Sequence, residues 1–514
     1  MATFTGPQKE QLRSLADRFG YNCTDEELET YAAVTAHTME DYVKLWAMPE
    51  PPPDNPCPRS VGYRPTPQQN PYNAWYWRTD IGEPKGGGLL AGKTVAIKDN
   101  VSVAGVPMMN GSRVLEGHLP IHDATIVKRI LRQGGRILGK STCEDLCLSG
   151  GSWNTAYGPV RNPWDRERNA GGSSSGSAVL VAVGEVELAI GGDQGGSIRI
   201  PASCCGIVGL KPTWGLVPYT GIIPIETSLD HTGPMARSVP DCALFLQAIA
   251  GFDDNRDMRQ PSAGFSTPKY SEEVAKGAPD GVRIGLLKEG FDGCREDVVA
   301  VVNKAVELIN ASFNTEQLSI PAHNDCGDIW GPIGIQGSGN QMIAGAGHGT
   351  GMYGDLDPQL AEKMRQGMKL NAPAVSHNVK FIHMLSAYVE EKYGLAIYAK
   401  AQRMALALRR QYDEALAKFN VLLMPTLPEA PCKIPDKDTP LAEAIGRSLE
   451  PIKNTQAFDF THHPAITLNA GFNAQGLPIG LMLVGKHWQE VELLQIAAEI
   501  EKLLKPLQTQ KLPQ

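Results

Sequence analysis

Apolar residues recur at helical spacing near the start of the chain. Between residues 12 and 19 they repeat every three or four positions and stop at Gly20, which predicts an amphipathic helix. Thr24 and Glu27 form a capping-box pattern that opens a second periodic segment. Residues 49–71 then hold nine prolines, a composition typical of an extended connector. We therefore expect two helices followed by a linker.

From residue 89 onward, short apolar runs alternate with segments of helical periodicity. This alternation is typical of an α/β fold with a central sheet flanked by helices. The predicted strands cover residues 94–98, 136–139, 186–190, 282–287, 421–424, 465–470 and 479–484. The predicted helices cover residues 124–131, 178–183, 296–309, 386–419 and 490–504.

The length of 514 residues and the shifts in composition predict three regions. Residues 1–75 form an N-terminal helical segment and a proline-rich linker. Residues 76–327 and 449–514 together form the α/β core. Residues 328–448 read as an inserted, smaller helical domain, because a stretch rich in Gly and Ile is followed there by a long helical pattern.

Composition and charge exclude several classes of function. With 42% apolar and 20% charged residues, the chain is globular rather than disordered. The net charge of 48 − 56 = −8 gives no electrostatic basis for a nucleic-acid or anionic-membrane partner. The apolar stretch at 178–183 is far too short to cross a membrane, and the first residues lack the pattern of a secretory signal. We expect a cytoplasmic location.

The patterns that would indicate a metal or a cofactor are missing or incomplete. The ten cysteines form no pair of CxxC motifs and no cluster with histidines, so we expect free thiols and no metal site. Gly87, Gly92, Lys93 and Thr94 match a phosphate-binding loop, but a predicted strand follows them where the motif requires a helix. We therefore expect no cofactor.

Two loops rich in Gly and Ser carry the candidate chemistry. Residues 172–176 match G-x-S-x-G, which would make Ser174 the nucleophile of an α/β-hydrolase esterase, but the residues before it do not form the required apolar strand. Residues 191–201 hold glycines that let successive N–H groups form an oxyanion hole, with Ser197 beside them. A serine needs a base, and Lys98, at the end of a predicted strand, can supply one.

Lys98 in AIKDN, Ser173 in GGSSSGS and Ser197 in GGDQGGSIRIPA together resemble the amidase signature family, with a continuous match over about residues 90–235. The resemblance implies the amidase signature fold and a Ser–cisSer–Lys triad of Ser197, Ser173 and Lys98, with a cis bond between Gly172 and Ser173. It also implies an oxyanion hole made by the N–H groups of Gln194, Gly195, Gly196 and Ser197.

The resemblance implies an enzyme that hydrolyses carboxylic amides to acid and ammonia through an acyl-serine intermediate. The chain is most similar to nitrile-pathway acylamide amidohydrolases and to fungal relatives of the urethanase type. A carbamate (urethane) hydrolase and a glutamine-dependent amidotransferase subunit remain as alternatives on the same triad. The family also suggests a homodimer or higher homo-oligomer that forms through the N-terminal helices.

Further residues follow from the same resemblance and from their positions. Asp193 and Arg199 flank the Ser197 loop, either as an ion pair or as solvated charges. His462 and His463, near the strand predicted over 465–470, could reach the site, but a core or surface role is favoured. The inserted domain is expected to line the substrate pocket through Trp330, Ile333 and Tyr353. The family's substrate loop aligns with Cys147, Ser149, Gly150 and Gly151.

Overall fold

The computed structural model describes residues 4–52, 57, 59–82 and 87–513. Its internal contacts divide the chain into two units, with the boundary between residues 54 and 55. The first unit is a pair of helices, α1 (Lys9–Phe19) and α2 (Asp25–Ala47). As predicted, α1 ends at Gly20 in the left-handed conformation, and the Thr24 side chain caps α2. Both N-terminal helices of the sequence analysis are confirmed.

In the described part of the second unit, eleven strands form one mixed sheet, in the order β1-β3-β2-β4-β6-β5-β10-β11-β9-β7-β8. Strand β2 is parallel to both β3 and β4, whereas β4 and β6 are antiparallel. The strands are β1 (Trp75–Ile81), β2 (Thr94–Lys98), β3 (Arg136–Ser141), β4 (Leu188–Asp193), β5 (Val208–Lys211), β6 (His231–Ala236), β7 (Arg283–Leu287), β8 (Asn314–Leu318), β9 (Val421–Pro425), β10 (Ala465–Phe472) and β11 (Pro478–Val484).

Helices cover both faces of this sheet. A short π-helical segment, Ser338–Ala344, directly follows the helix Cys326–Gly337. Among the described residues, no helix combines the length and the apolar character needed to cross a membrane. The helices are α3 (Thr125–Arg132), α4 (Ser175–Ala182), α5 (Arg199–Cys205), α6 (Val239–Ile249), α7 (Tyr270–Val274), α8 (Glu296–Asn310), α9 (Cys326–Gly337), α10 (Pro358–Asn371), α11 (His377–Tyr393), α12 (Ala396–Leu416), α13 (Leu441–Leu449), α14 (Ala457–Phe460) and α15 (Glu490–Leu504).

The alternation of side chains along β2 shows how the two faces are built. Val95 and Ile97 belong to a core cluster that includes residues of α3, α6, α8 and α15. Ala96 points the other way and belongs to a cluster that contains residues of α4 and α5. Because successive side chains of a strand point to opposite faces, these two cores lie on opposite sides of the sheet. The mixed sheet flanked by helices confirms the predicted fold class.

Two predictions about segment boundaries are wrong. The helix expected over 386–419 is broken at Gly394, whose φ of +67° interrupts the helical backbone between α11 and α12. The region 328–448, expected as a separate insertion, contains β9, which is fully buried in the central sheet between β11 and β7. A strand with core neighbours on both sides belongs to the core itself, so residue 448 is not a domain boundary.

The predicted linker over residues 49–71 lies partly outside the described residues. Tyr63, in its described part, exchanges two backbone hydrogen bonds with Arg78 of β1. These bonds attach this part of the linker to the sheet, although the prediction grouped it with the N-terminal helices. The contact boundary after residue 54 agrees with that attachment.

Candidate active site

Lys98 and Ser173 meet inside the second unit at the carboxyl end of β2. Lys98 is the last residue of β2, and Ser173 lies two residues before α4, after a cis peptide bond from Gly172. Lys98 Nζ donates a hydrogen bond to Ser173 Oγ at 2.8 Å and another to the Gly192 carbonyl at 3.3 Å. Both side chains are fully buried. The structure thus brings together two residues that lie 75 positions apart in the sequence.

A second buried lysine neutralises the carboxylate next to Lys98. Lys140 Nζ lies 3.1 Å from Asp99 Oδ1, and the Met109 N–H donates to Asp99 Oδ2 at 3.1 Å. Burial raises the pKa of Asp99 and lowers the pKa of Lys140, and their mutual attraction opposes both shifts. Because Asp99 is paired with Lys140, the Lys98 amine is left to Ser173. Lys140 was not predicted from the sequence, because only the observed strand register places it in β3 directly beside Ile97 of β2.

Ser197 lies in the turn between β4 and α5, which we call the Ser197 loop (residues 193–199). The side chain of Ser197 is 9% exposed, whereas Lys98 and Ser173 have no exposed surface, so Ser197 is the residue that a ligand can reach. In the described part of the chain, the N–H groups of Gly195, Gly196 and Ser197 donate to no protein acceptor. Free backbone donors beside an accessible serine are what an oxyanion hole requires.

The carbonyl groups of the same loop are held by other parts of the chain. Trp330 Nε1 donates to the Gln194 carbonyl at 2.7 Å, and Thr455 Oγ1 donates to the Gly195 carbonyl at 2.5 Å. Gly196 has a φ of +135°, and a Cβ there would lie 2.2 Å from Thr455 Oγ1. The close approach of Thr455 therefore explains why glycine is needed at this position.

A buried ion-pair cluster anchors the Ser197 loop at both ends. Arg199 donates to both carboxylate oxygens of Asp193 at 2.9 Å, to Asp459 Oδ2 at 2.9 Å and to the Thr455 carbonyl at 2.8 Å. Asp193 also accepts from the Ile198 N–H at 3.1 Å. Burial alone would raise the pKa of Asp193, but the Arg199 charge holds that pKa well below its usual range. Of the two interpretations left open above, the ion pair is therefore the one observed.

A largely apolar pocket opens beside Ser197. Three of the four residues of the predicted substrate loop lie on its wall, namely Cys147, Ser149 and Gly150, whereas Gly151 does not. Of the candidates from the region 328–448, Trp330 lines the pocket. Ile333 is buried in a different cluster, and Tyr353 lies at another surface cleft. The remaining lining residues are Leu148, Gln194, Gly195, Ser197, Ile225, Leu229, Gly334, Ile335, Ser338, Ile382, Leu449 and Ile452.

Ser174, the alternative nucleophile, and the two histidines His462 and His463 make structural contacts. Ser174 Oγ donates to the Gly192 carbonyl and accepts from the Gly192 N–H, both at 3.2 Å, so its hydroxyl is fully engaged by β4. His462 stacks on Trp214 with ring centroids 4.7 Å apart, and His463 contacts Asp413. As predicted, no apolar strand precedes Ser174, since residues 171–174 are irregular. An esterase elbow is thus not formed.

A family model described as amidase matches residues 74–494. The chain belongs to the amidase family. This amidase is 42% identical over 511 residues to an enantioselective amidase of Rhodococcus rhodochrous, which covers 97% of this chain and 96% of that protein.

The same amidase is 36% identical over 419 residues to a glutamyl-tRNA(Gln) amidotransferase subunit of Koribacter versatilis, covering 81% of this chain and 85% of the relative. Among solved structures, the peptide amidase of Stenotrophomonas maltophilia has a TM-score of 0.68 at 28% identity, over 83% of this chain and 85% of that one. The amidase signature fold implied by the sequence motifs is therefore confirmed.

Proposed function

We propose that this amidase hydrolyses the carboxamide bond of a small apolar amide to a carboxylic acid and ammonia, with Ser197 as the nucleophile. One observation carries the proposal: Ser173 accepts a 2.8 Å hydrogen bond from the buried Lys98, and the N–H of the next residue, Ser174, donates at 3.3 Å to the carbonyl of Ser197, which lines an apolar pocket. A buried amine, a relay hydroxyl and a nucleophilic hydroxyl are the parts that acyl transfer needs. Membership of the family also supports the proposal, because one relative is named an amidase.

In the proposed reaction, the unprotonated Lys98 amine takes the proton of Ser173 Oγ. Ser173 takes the proton of Ser197 Oγ as that oxygen bonds to the amide carbon, and the N–H groups of residues 194–197 stabilise the oxyanion. When the C–N bond breaks, the leaving nitrogen receives a proton from Ser173, which is reprotonated by Lys98. Water then attacks the acyl-serine ester through the same relay and releases the acid, with Ser197 regenerated.

The lining of the pocket supports an uncharged substrate. The described residues that line it include aliphatic side chains, Trp330 and a few polar groups, and none of them is an Asp, Glu, Lys, Arg or His. Glutamine carries an ammonium and a carboxylate, and burying either without a partner costs several kcal/mol. We therefore favour an apolar carboxamide over glutamine. A carbamate places an ester oxygen beside the same carbonyl and remains the second candidate among substrates.

The N-terminal helices support the expectation of a homo-oligomer. On α2, several large apolar side chains are about half exposed or more, among them Tyr31, Val34, Tyr42, Leu45 and Trp46. An apolar stripe of this kind is typical of a surface that buries against a second copy. Light scattering should report a dimer for the full chain and a monomer for V34E/Y42E. A dimer that survives both substitutions contradicts this interface. The cytoplasmic location remains a prediction.

The test of the proposed activity is ammonia release by the purified full chain. The substrates are benzamide, an aliphatic amide, glutamine and ethyl carbamate, each with the wild type and with Ser197→Ala. Ser203→Ala is the matched control, because Ser203 is also a buried serine but bonds the backbone of Gly480 away from the pocket. We expect release from the apolar amides that only Ser197→Ala abolishes. Release from glutamine alone, or equal rates in Ser197→Ala, would contradict the proposal.

A further inference from the structure

Three potential metal ligands converge at the ends of two strands of the central sheet. Asp413 lies on α12, His463 precedes β10 and His487 follows β11. His463 Nε2 is 3.1 Å from Asp413 Oδ1, and His487 Nδ1 is 3.4 Å from the same oxygen. All three ligand atoms lie within 4.8 Å of one another. None of these residues contributes to the apolar pocket or to the proposed triad.

The second nitrogen of each ring is fixed by Thr461. His487 Nε2 lies 2.9 Å from the Thr461 carbonyl oxygen, which can only accept, so Nε2 carries the hydrogen. Thr461 Oγ1 donates to the Ala457 carbonyl at 2.9 Å and therefore accepts from His463 Nδ1 at 3.0 Å. When these rings are neutral and carry those hydrogens, the nitrogen of each ring that faces Asp413 is the one with the lone pair.

Two lone pairs directed at one carboxylate oxygen repel it unless a cation lies between them. Arg409 Nε lies 3.9 Å from Asp413 Oδ2, the other carboxylate oxygen, and so leaves Oδ1 to the rings. Metal-bound histidines characteristically donate their second ring nitrogen to a nearby oxygen, as both do here.

We propose that Asp413 Oδ1, His463 Nε2 and His487 Nδ1 bind one zinc ion, with water as the fourth ligand. Bonds of about 2.0–2.1 Å in a tetrahedron place neighbouring ligand atoms about 3.3 Å apart, close to the 3.1 and 3.4 Å observed. Two imidazoles with one carboxylate suit zinc better than calcium or magnesium. The side chain of Asp413 is 49% exposed, so the fourth position is open to solvent.

The proposed ion has a structural role. It ties α12 to the segments that flank β10 and β11. Thr461, which orients both rings, follows Asp459 by two residues, and Asp459 bonds Arg199 at the base of the Ser197 loop. Zinc at this position would therefore stabilise the segment that holds the proposed oxyanion loop.

The test uses the full chain, stripped with a chelator and then titrated with Co²⁺ and with Zn²⁺. We expect one equivalent of Co²⁺ to give the visible absorption bands of a tetrahedral site and Zn²⁺ to displace it. Asp413→Ala should weaken Zn²⁺ binding by at least about 100-fold. Thr461→Val, which removes the hydroxyl that bonds His463 Nδ1 and the Ala457 carbonyl, should weaken it by about 10–100-fold. His377→Ala removes an exposed histidine elsewhere, on α11, and should leave the affinity unchanged.

Two results would overturn the zinc site. One is a wild type that gives no tetrahedral Co²⁺ spectrum, which would leave the cluster as a histidine–carboxylate contact without a metal. The other is an Asp413→Ala variant that binds Zn²⁺ as tightly as the wild type. The wild-type spectrum decides the first point even if a variant fails to fold. Neither readout depends on amide hydrolysis, so the site and the proposed activity are tested separately.

Discussion

Replacing Arg199 by methionine tests the anchor of the Ser197 loop. The guanidinium makes four hydrogen bonds of 2.8–2.9 Å, three of them to the carboxylates of Asp193 and Asp459, and it has no exposed surface. Methionine keeps most of the volume but leaves the buried carboxyl groups of Asp193 and Asp459 without their guanidinium partner. Removing one partner from a buried ion pair costs about 3–5 kcal/mol. We expect Arg199→Met to lower the free energy of unfolding by this amount and to abolish ammonia release.

The assay is urea-induced unfolding at pH 7, followed by tryptophan fluorescence. Arg283→Met is the matched control, because Arg283 also pairs with a carboxylate through two nitrogens, but both partners, Arg283 and Glu316, are 45% exposed. An exposed pair contributes about 0–1 kcal/mol, so this variant should remain close to the wild type. An Arg199→Met variant within about 1 kcal/mol of the wild type, or one that retains full activity, would refute the anchoring role.

Two further predictions concern the loop glycine and a buried histidine. Gly196→Ala directs a Cβ to within 2.2 Å of Thr455 Oγ1, so we expect displaced oxyanion donors and a kcat about 100-fold lower. Burial lowers the pKa of His323 from 6.5 to about 4. Between these pH values the unfolded chain binds a proton that the folded chain does not, so stability falls by roughly 3 kcal/mol as the pH drops. His323→Gln should remove that part of the slope in urea unfolding.

Each of these predictions has a control. Gly331→Ala lies where no heavy atom comes within 4 Å of the new Cβ, and its kcat should equal that of the wild type. An unchanged kcat in Gly196→Ala would show that the loop tolerates a side chain. His377→Gln changes an exposed histidine and should keep the wild-type slope. The same slope in His323→Gln as in the wild type would show that another group causes the acid sensitivity.

Much of the fold follows from local patterns in the sequence. The run 94–98 was predicted as a strand and is observed as Thr94–Lys98, because its apolar residues are buried on both faces of the sheet. The fully buried run at 421–424 was also predicted as a strand. Its assignment to an insertion was wrong, because local periodicity does not indicate which distant strands pair. The break at Gly394 between α11 and α12 was not predicted, because helical spacing continues on both sides of it.

Some residues of the candidate site could also be predicted from the sequence, and others could not. Lys98, Ser173 and Ser197 stand in recognisable motifs, and the loop glycines identify the backbone donors. Thr455 carries no motif, and it contacts the loop across 260 positions of sequence, so only tertiary structure reveals it. The proposed zinc ligands are hidden for the same reason, since Asp413 and His463 are 50 positions apart. Metal patterns read from sequence depend on short spacings, which this cluster lacks.

The identity of the nucleophile is the central claim, and covalent labelling tests it most directly. The full-length enzyme is inactivated with a fluorophosphonate, and the modified residue is located by peptide mass spectrometry. We predict one phosphonyl group per chain, on Ser197, with activity lost in proportion to labelling and no labelling in Ser197→Ala. Complete inactivation with the label on Ser174 or on any other residue, while Ser197 stays unmodified, would contradict the assignment of Ser197 as nucleophile.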